Sequence, residues 1–369
     1  MTIYALFALV ACGADKADDT AVADTVDTGA DTADSGTDTA ADTSDTQDTS
    51  DTADTAIVDG GITWNLGTSV TGAAFGLFPL DFATDLGVGE TPWWSTSVEG
   101  ASTVVSTGEM PDASFSQPIP DFPDTTLAFF MPMVWDDTNG NALHDTGERF
   151  RASSRILGVY VDGALPAELA SLGLVLGWNA LRLDTGGGLP VPFNPANVPL
   201  PLNLDERSAF TVGGTLEGLA ADDEGVAVLP PEIFSTPGRE PLVMADAASP
   251  WALTLDGAPP ADHLMDVDGT GALFAAVEIA VSWQEADGNE GLTTYDALSL
   301  ACSRVDGEVR LAQVTWFGEV RDTRYATFLA WSDLHVGWNV ILPGDGDALR
   351  GLSEAEAGEL VMGDPACGL

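Results

Sequence analysis

The chain has 369 residues, with 58 acidic against 12 basic side chains and a formal charge of -46. Nucleic acid is excluded as a partner by that balance, because a phosphate backbone is held by Lys and Arg that displace its counterions, and anionic membrane surfaces are disfavoured for the same reason. A hydrophobic content of 45% supplies real cores, and the length allows two or three domains.

The apolar run at the start, Thr2 to Ala11, is about half the length of a bilayer-spanning helix and reads as the core of a signal peptide over residues 1–11. It ends Leu9-Val10-Ala11-Cys12-Gly13, which resembles the lipobox of bacterial lipoproteins. That resemblance implies cleavage before Cys12, a lipid on Cys12, and a protein anchored to a membrane at the bacterial outer membrane or cell surface.

Residues 12–58 carry Cys12 and then a tether. From Gly13 to Val58 there are thirteen Asp, eleven Thr, one Lys and no aromatic residue. Such a segment cannot bury enough apolar surface to offset its ordering entropy, so the sequence predicts a disordered, extended spacer. Without it, 311 residues carry a charge of -34 (-46 plus 12), and all eleven remaining basic residues are arginine. Self-repulsion of that size suits saline surroundings.

Beyond the tether two stretches match in order. Ile62-Thr-Trp-Asn-Leu and Phe75-Gly-Leu-Phe-Pro79 correspond to Phe210-Thr-Val-Gly-Gly and Val226-Ala-Val-Leu-Pro230. Leu127-Ala-Phe-Phe before Trp135 corresponds to Leu273-Phe-Ala-Ala before Trp283, and both stretches close on Gly-Trp-Asn, at Gly177-Trp178-Asn179 and Gly337-Trp338-Asn339. Three blocks in one order predict a divergent tandem repeat. Val277–Trp283, Val309–Val320 and Tyr325–Trp331 read as strands, rich in branched and aromatic residues and bounded by turn formers. Helix is expected only at Pro166–Leu172 and after Ser353, where Ser353-Glu-Ala-Glu356 fits a capping box. The fold class is therefore all-β: two tandem antiparallel β-sandwiches over 59–187 and 208–369. Residues 188–207, with five prolines, form a connector that can join no central strand. Trp135, Trp178, Trp283 and Trp338 are expected in sandwich cores.

With Cys12 lipidated, Cys302 and Cys367 remain, either as two free thiols or, as an oxidising compartment favours, as a disulfide pinning the tail.

The motif that carries chemistry is Asp137-Thr-Asn139-Gly-Asn141-Ala-Leu143-His-Asp145-Thr-Gly-Glu148. Oxygen-bearing side chains at positions 1, 3, 5, 9 and 12, with the Leu143 carbonyl at position 7, are the hard ligands Ca²⁺ takes. The loop resembles calcium loops of the EF-hand and dockerin type, and more closely those joining strands in bacterial surface β-sandwiches. The resemblance implies a structural calcium ion, with Ala142 where glycine is usual. In the second copy Asp287 and Asn289 remain without the spaced acids, and Asp266-Val-Asp268-Gly begins a similar loop without completing it. His144 is expected to face solvent. His263 and His335, 72 residues apart without metal-type spacing, read as a loop and a surface residue rather than zinc ligands.

Trp93 and Trp94, adjacent in a turn-like context, could stack on a sugar, although large aromatics more often bury area. No nucleophile elbow, His-Glu-x-x-His or P-loop is found. The sequence thus reads as a non-enzymatic envelope lipoprotein presenting binding or structural modules, its partner a glycan or an envelope protein. The alternatives are a carbohydrate-binding module using Trp93 and Trp94, and a hydrolase with dispersed carboxylates in the cleft between domains.

Overall fold

The computed structural model describes residues 61–81, 87–100, 104–107, 111–119, 122–182, 191–207, 209–231, 240–285, 292, 296–305, 307–343 and 349–367. Cys12 and the Asp/Thr-rich segment lie outside the described residues, as do Asp287 and Asn289.

The described chain is built of sheets whose strands pair antiparallel apart from two parallel pairs, the arrangement an alternating, turn-punctuated sequence favours. The first half runs β1 (Thr63–Asn65), β2 (Ala73–Asp81), β3 (Gly87–Val88), β4 (Trp94–Val98), β5 (Val104–Ser106) and β6 (Gln117–Ile119). It continues through β7 (Phe122–Asp136), β8 (Phe150–Ser153), β9 (Ile156–Gly163), helix α1 (Ala167–Ser171), β10 (Gly177–Arg182), β11 (Val191–Phe193) and β12 (Val198–Pro199). The second half opens with β13 (Ala209–Leu216), β14 (Gly225–Leu229), β15 (Val243–Asp246), β16 (Trp251–Asp256), β17 (Met265–Asp266) and β18 (Phe274–Gln284). After these come β19 (Ala297–Val305), β20 (Glu308–Leu311), β21 (Gln313–Phe317), helix α2 (Thr323–Trp331), β22 (Gly337–Pro343), β23 (Leu349–Gly351), helix α3 (Glu354–Ala357) and β24 (Leu360–Met362).

One pairing scheme occurs in both halves. β7 pairs with β2, β6, β8 and β9, and β18 pairs with β14, β17, β19 and β21. The series β9–β10–β11 recurs as β21–β22–β23. The parallel pair β1–β12 with antiparallel β5 recurs as β13–β24 with β16. Register agrees as well: Trp135 lies opposite Ala74, Trp283 opposite Gly225, Trp178 opposite Tyr160 and Trp338 opposite Trp316. In the first half the strands form separate three- and nine-stranded sheets, whereas the β19–β24 pairing joins the second half into one sheet of twelve.

Three large apolar clusters hold the halves. Ile62, Trp64, Phe75, Phe130 and Trp178 belong to one confined to the first half, and Phe210, Val228, Trp316 and Trp338 to one confined to the second. A further cluster draws on both, joining Phe78, Met133, Trp135 and Phe150 to Phe317, Val320, Leu329 and Ile341. Strand β7 explains how: Ala128, Phe130 and Val134 face the first half's own core while Phe129, Met131, Met133 and Trp135 face the shared one. Alternate side chains leave opposite faces of a strand, so a strand buried on both sides carries an unbroken apolar run. The connector is woven into the edges of the first half: β11 pairs with β10 and β12 with β1. Prolines are tolerated there because an edge strand has amides with no ladder to join.

Helices α1 and α3 fall where the sequence places them, and Ser353 with Glu356 makes both halves of the capping box. Tyr325–Trp331 is not a strand but part of α2. Asp322 caps it by accepting from the Arg324 amide, and its buried residues Thr323, Ala326, Thr327 and Ala330 recur at helical spacing. The run Val309–Val320 is two strands broken at Ala312, whose amide donates to the Ala301 carbonyl at 3.0 Å. Cys302, fully buried in β19, is disulfide-bonded to Cys367 with 6.1 Å between Cα atoms, tying the tail beside the β19–β24 junction. Closing a loop of 65 residues contributes on the order of 4 kcal/mol in the chain-entropy account.

Candidate calcium loop and surrounding sites

Residues 137–148 leave β7 and return in β8, so the loop's ends are fixed by two paired strands. Asp137 and Glu148, its first and last acids, are buried to 7% and 6% exposure. The Asp137 carboxylate accepts from the amides of Gly140 (2.8 Å), Asn141 (3.1 Å) and Ala142 (2.9 Å), which winds the chain around it. Glu148 closes the loop by accepting from the Thr138 amide at 2.8 Å, the Thr138 hydroxyl at 2.9 Å and the Asp145 amide at 3.0 Å. Ala142, at the sixth position, has φ +57°, the left-handed turn for which glycine is usual in such loops. The alanine therefore keeps the turn at a cost in backbone strain.

Donor chemistry and turn fit a calcium ion, while the acids are not drawn together: among the described residues no three His, Cys, Asp or Glu side chains are grouped as metal ligands. The Asn139 and Asn141 amide nitrogens donate to Asp145 Oδ2 at 2.7 and 2.9 Å, standing where a cation's positive charge would act and holding the Asp145 carboxyl below its ordinary range. The Leu143 carbonyl accepts from Trp135 Nε1 at 3.2 Å.

His144 does not face solvent. Its ring stacks on Phe150 with centroids 4.3 Å apart and meets Phe78 and Trp135 edge-on, and this desolvation lowers its pKa against the opposing pull of the Glu148 carbonyl. The loop thus rests on three aromatics of the shared core. Just beyond it, Arg149 bonds Asp136 at 3.0 Å and reaches Glu319 of the second half at 3.5 Å, and the Phe150 amide donates to the Val320 carbonyl.

At Asp266 the second half makes a similar start. The Asp266 carboxylate accepts from Gly269 (3.0 Å) and Gly271 (2.9 Å), but Phe274 and Val277 stand at the ninth and twelfth positions, and Arg324 Nη2 approaches Asp268 at 3.5 Å. An arginine there supplies the positive charge.

Trp93 and Trp94 are half-buried and point inward. Trp93 packs 5.0 Å from Phe130 and 5.9 Å from Trp178, and Trp94 lies edge-on to Phe75 at 6.1 Å. Trp135, Trp178, Trp283 and Trp338 are all buried, as expected of core tryptophans.

The two remaining histidines are not plain loop and surface residues. His263 Nδ1 sits 3.0 Å from Glu278 Oε1, with both side chains at 4% exposure or less, so the pair pins a short 3₁₀ turn to β18. Neither partner betrays this in sequence, 15 residues apart with no motif between them. His335 follows α2. Burial first, and then the Arg207 guanidinium, pushes its pKa down to about 4, with a bond to the Asn203 carbonyl and the charges of Asp333 and Glu354 opposing. An unfolded histidine titrates near 6.5, so the unfolded chain takes up a proton first as pH falls, and the folded state loses stability between about pH 6.5 and 4. Urea denaturation at pH 7 and 4.5 will show a drop containing on the order of 2 kcal/mol from this ring, after allowance for partial solvent access, and His335→Gln will remove that part. An unchanged drop in the variant contradicts the assignment.

A groove between the halves has Asp333 as its single carboxylate among the described lining residues, so no pair of acids for hydrolysis is gathered there. No helix among the described residues is long and apolar enough to cross a membrane. No protein-family model, curated protein or solved structure matches the chain.

Proposed function

We propose that this chain is a non-enzymatic bacterial envelope lipoprotein, held at the outer membrane or cell surface by lipid on Cys12 and presenting two related β-sandwiches as binding or structural modules. The tether of thirteen aspartates holds the modules off the membrane by charge repulsion along its length. One structural Ca²⁺ sits in the loop from Asp137 to Glu148, with Asp137, Asn139, Asn141, the Leu143 carbonyl, Asp145 and Glu148 as its oxygen ligands.

The observation that carries the calcium reading is the fit of the turn: three successive amides wrap Asp137, and a non-glycine residue is held at φ +57° at the sixth position. Rotating the Asn139 and Asn141 amides presents oxygen instead of nitrogen to the ion. Because the loop lies on Phe78, Trp135 and Phe150, an ion there braces the junction of the halves as well as its own loop. The protein with calcium at a hundred times its Kd will be more stable than the chelated protein by about 2.7 kcal/mol, a rise of several degrees in Tm. Superimposable melting curves with and without chelator remove the ion.

A further inference from the structure

A groove of about 590 Å³ opens where the halves meet, within the size range of small-molecule sites. Leu66, Ile156, Pro201 and Leu334 give it apolar walls. Its charge is the reverse of the molecule's. Among the described lining residues two arginines, Arg155 and Arg182, stand against the single carboxylate of Asp333, and Arg155 is already ion-paired with that carboxylate across the junction. Arg182 has no ion-pair partner among the described residues, and its guanidinium lies over the Phe193 ring, 5.7 Å from the centroid.

Two other polar groups of the lining, Asn203 and Ser153, have donors to spare. Asn203 uses Oδ1 to accept from the Ser153 amide at 3.1 Å, which leaves its side-chain nitrogen toward other acceptors. The Ser153 hydroxyl is wholly buried and has no hydrogen-bond partner among the described residues, a costly arrangement unless something accepts from it. A guanidinium, an amide nitrogen and a hydroxyl converge in chemistry: each donates, and the first carries charge.

We infer that this groove binds a small organic carboxylate whose apolar or ring-shaped body lies on the prolines and Leu66, with its carboxylate held through Arg182. A planar guanidinium matches a carboxylate with two parallel bonds, which is why arginine serves such recognition. The inference rests on the reading of the chain as a binding module and gives that module its ligand class.

The test is calorimetric titration of the full, calcium-loaded chain with phenylacetate and with glucuronate, which share the carboxylate and differ in body, and with phenylacetamide and sulfate as comparisons. At least one carboxylate is expected to bind once per chain. Arg182→Gln should weaken it tenfold or more, Arg182→Lys less, and phenylacetamide should bind at least tenfold more weakly than phenylacetate. Arg310→Gln, at an exposed arginine paired with Glu308, should change nothing. Melting curves verify that each variant folds. Absence of binding by both carboxylates, undiminished binding in Arg182→Gln, equal binding of the amide, or displacement by equimolar sulfate each overturns the proposal, the last leaving only a simple anion site. Such a failure with the chelator-sensitive Tm and the lipid on Cys12 intact sinks the groove alone. Loss of those two readouts sinks the underlying function.

Discussion

Replacing Asn339 by alanine will destabilise the folded protein by about 3–5 kcal/mol, and replacing Asn179 will cost nearly the same. Each side chain brackets the turn that follows a helix. Asn339 accepts from the His335 amide at 2.9 Å and donates to the carbonyls of His335 and Gly337 at 2.8 and 2.9 Å. Asn179 repeats the three bonds with Val175 and Gly177 at 2.9, 2.8 and 2.9 Å. Both amides are at 5% exposure or less, so truncation takes a side-chain partner from a part-buried N–H and two carbonyls at each turn. The preceding glycines hold φ of +85° and +92°, which an L side chain rarely adopts, so the chain has no easy alternative path into the strand. Denaturant titration reads the result. A loss under 1 kcal/mol at either site, or a large loss at only one, contradicts the equivalence of the two brackets.

Glu148→Gln will have the second large effect, because one carboxylate serves two purposes. In the loop as folded it accepts three hydrogen bonds while 6% exposed, and an amide can accept only at its oxygen. Loss of charge-assisted bonds to Thr138 and Asp145 should cost about 2–3 kcal/mol. As the twelfth-position ligand it would also chelate the ion through both oxygens, which a glutamine cannot do. The variant should therefore melt lower than wild type and lose its response to chelator. A variant that melts lower yet keeps the full chelator response separates the hydrogen bonds from the metal and removes Glu148 from the ligand set.

Much of this architecture can be read from residue order. The Gly-Trp-Asn tripeptides mark the start of β10 and β22, and the matched blocks around Trp135 and Trp283 fall in the same register against β2 and β14. The pairing of Cys302 with Cys367 is only half legible, because with three cysteines it follows from sequence only if Cys12 is taken up elsewhere, and two free thiols fit the residue order equally. The capping box at Ser353 is legible from local spacing alone. Helix α2 is not, because Tyr, Thr, Phe and Trp favour strands, and its identity rests on the cap at Asp322 and on tertiary packing of one face. The shared core is half legible. The run from Leu127 to Trp135 shows that both faces of β7 are buried, but no periodicity says that one face meets Phe317 and Leu329 two hundred residues on. The inward turn of His144 and the His263–Glu278 pair depend likewise on contacts between distant elements.

The assignment as an anchored envelope protein is tested most directly by native mass spectrometry of the protein purified from its own cells. The expected species begins at Cys12 and carries the mass of attached acyl chains, short by two hydrogens for the Cys302–Cys367 bond and heavier by one calcium. A chain retaining residues 1–11, with no added lipid, contradicts it.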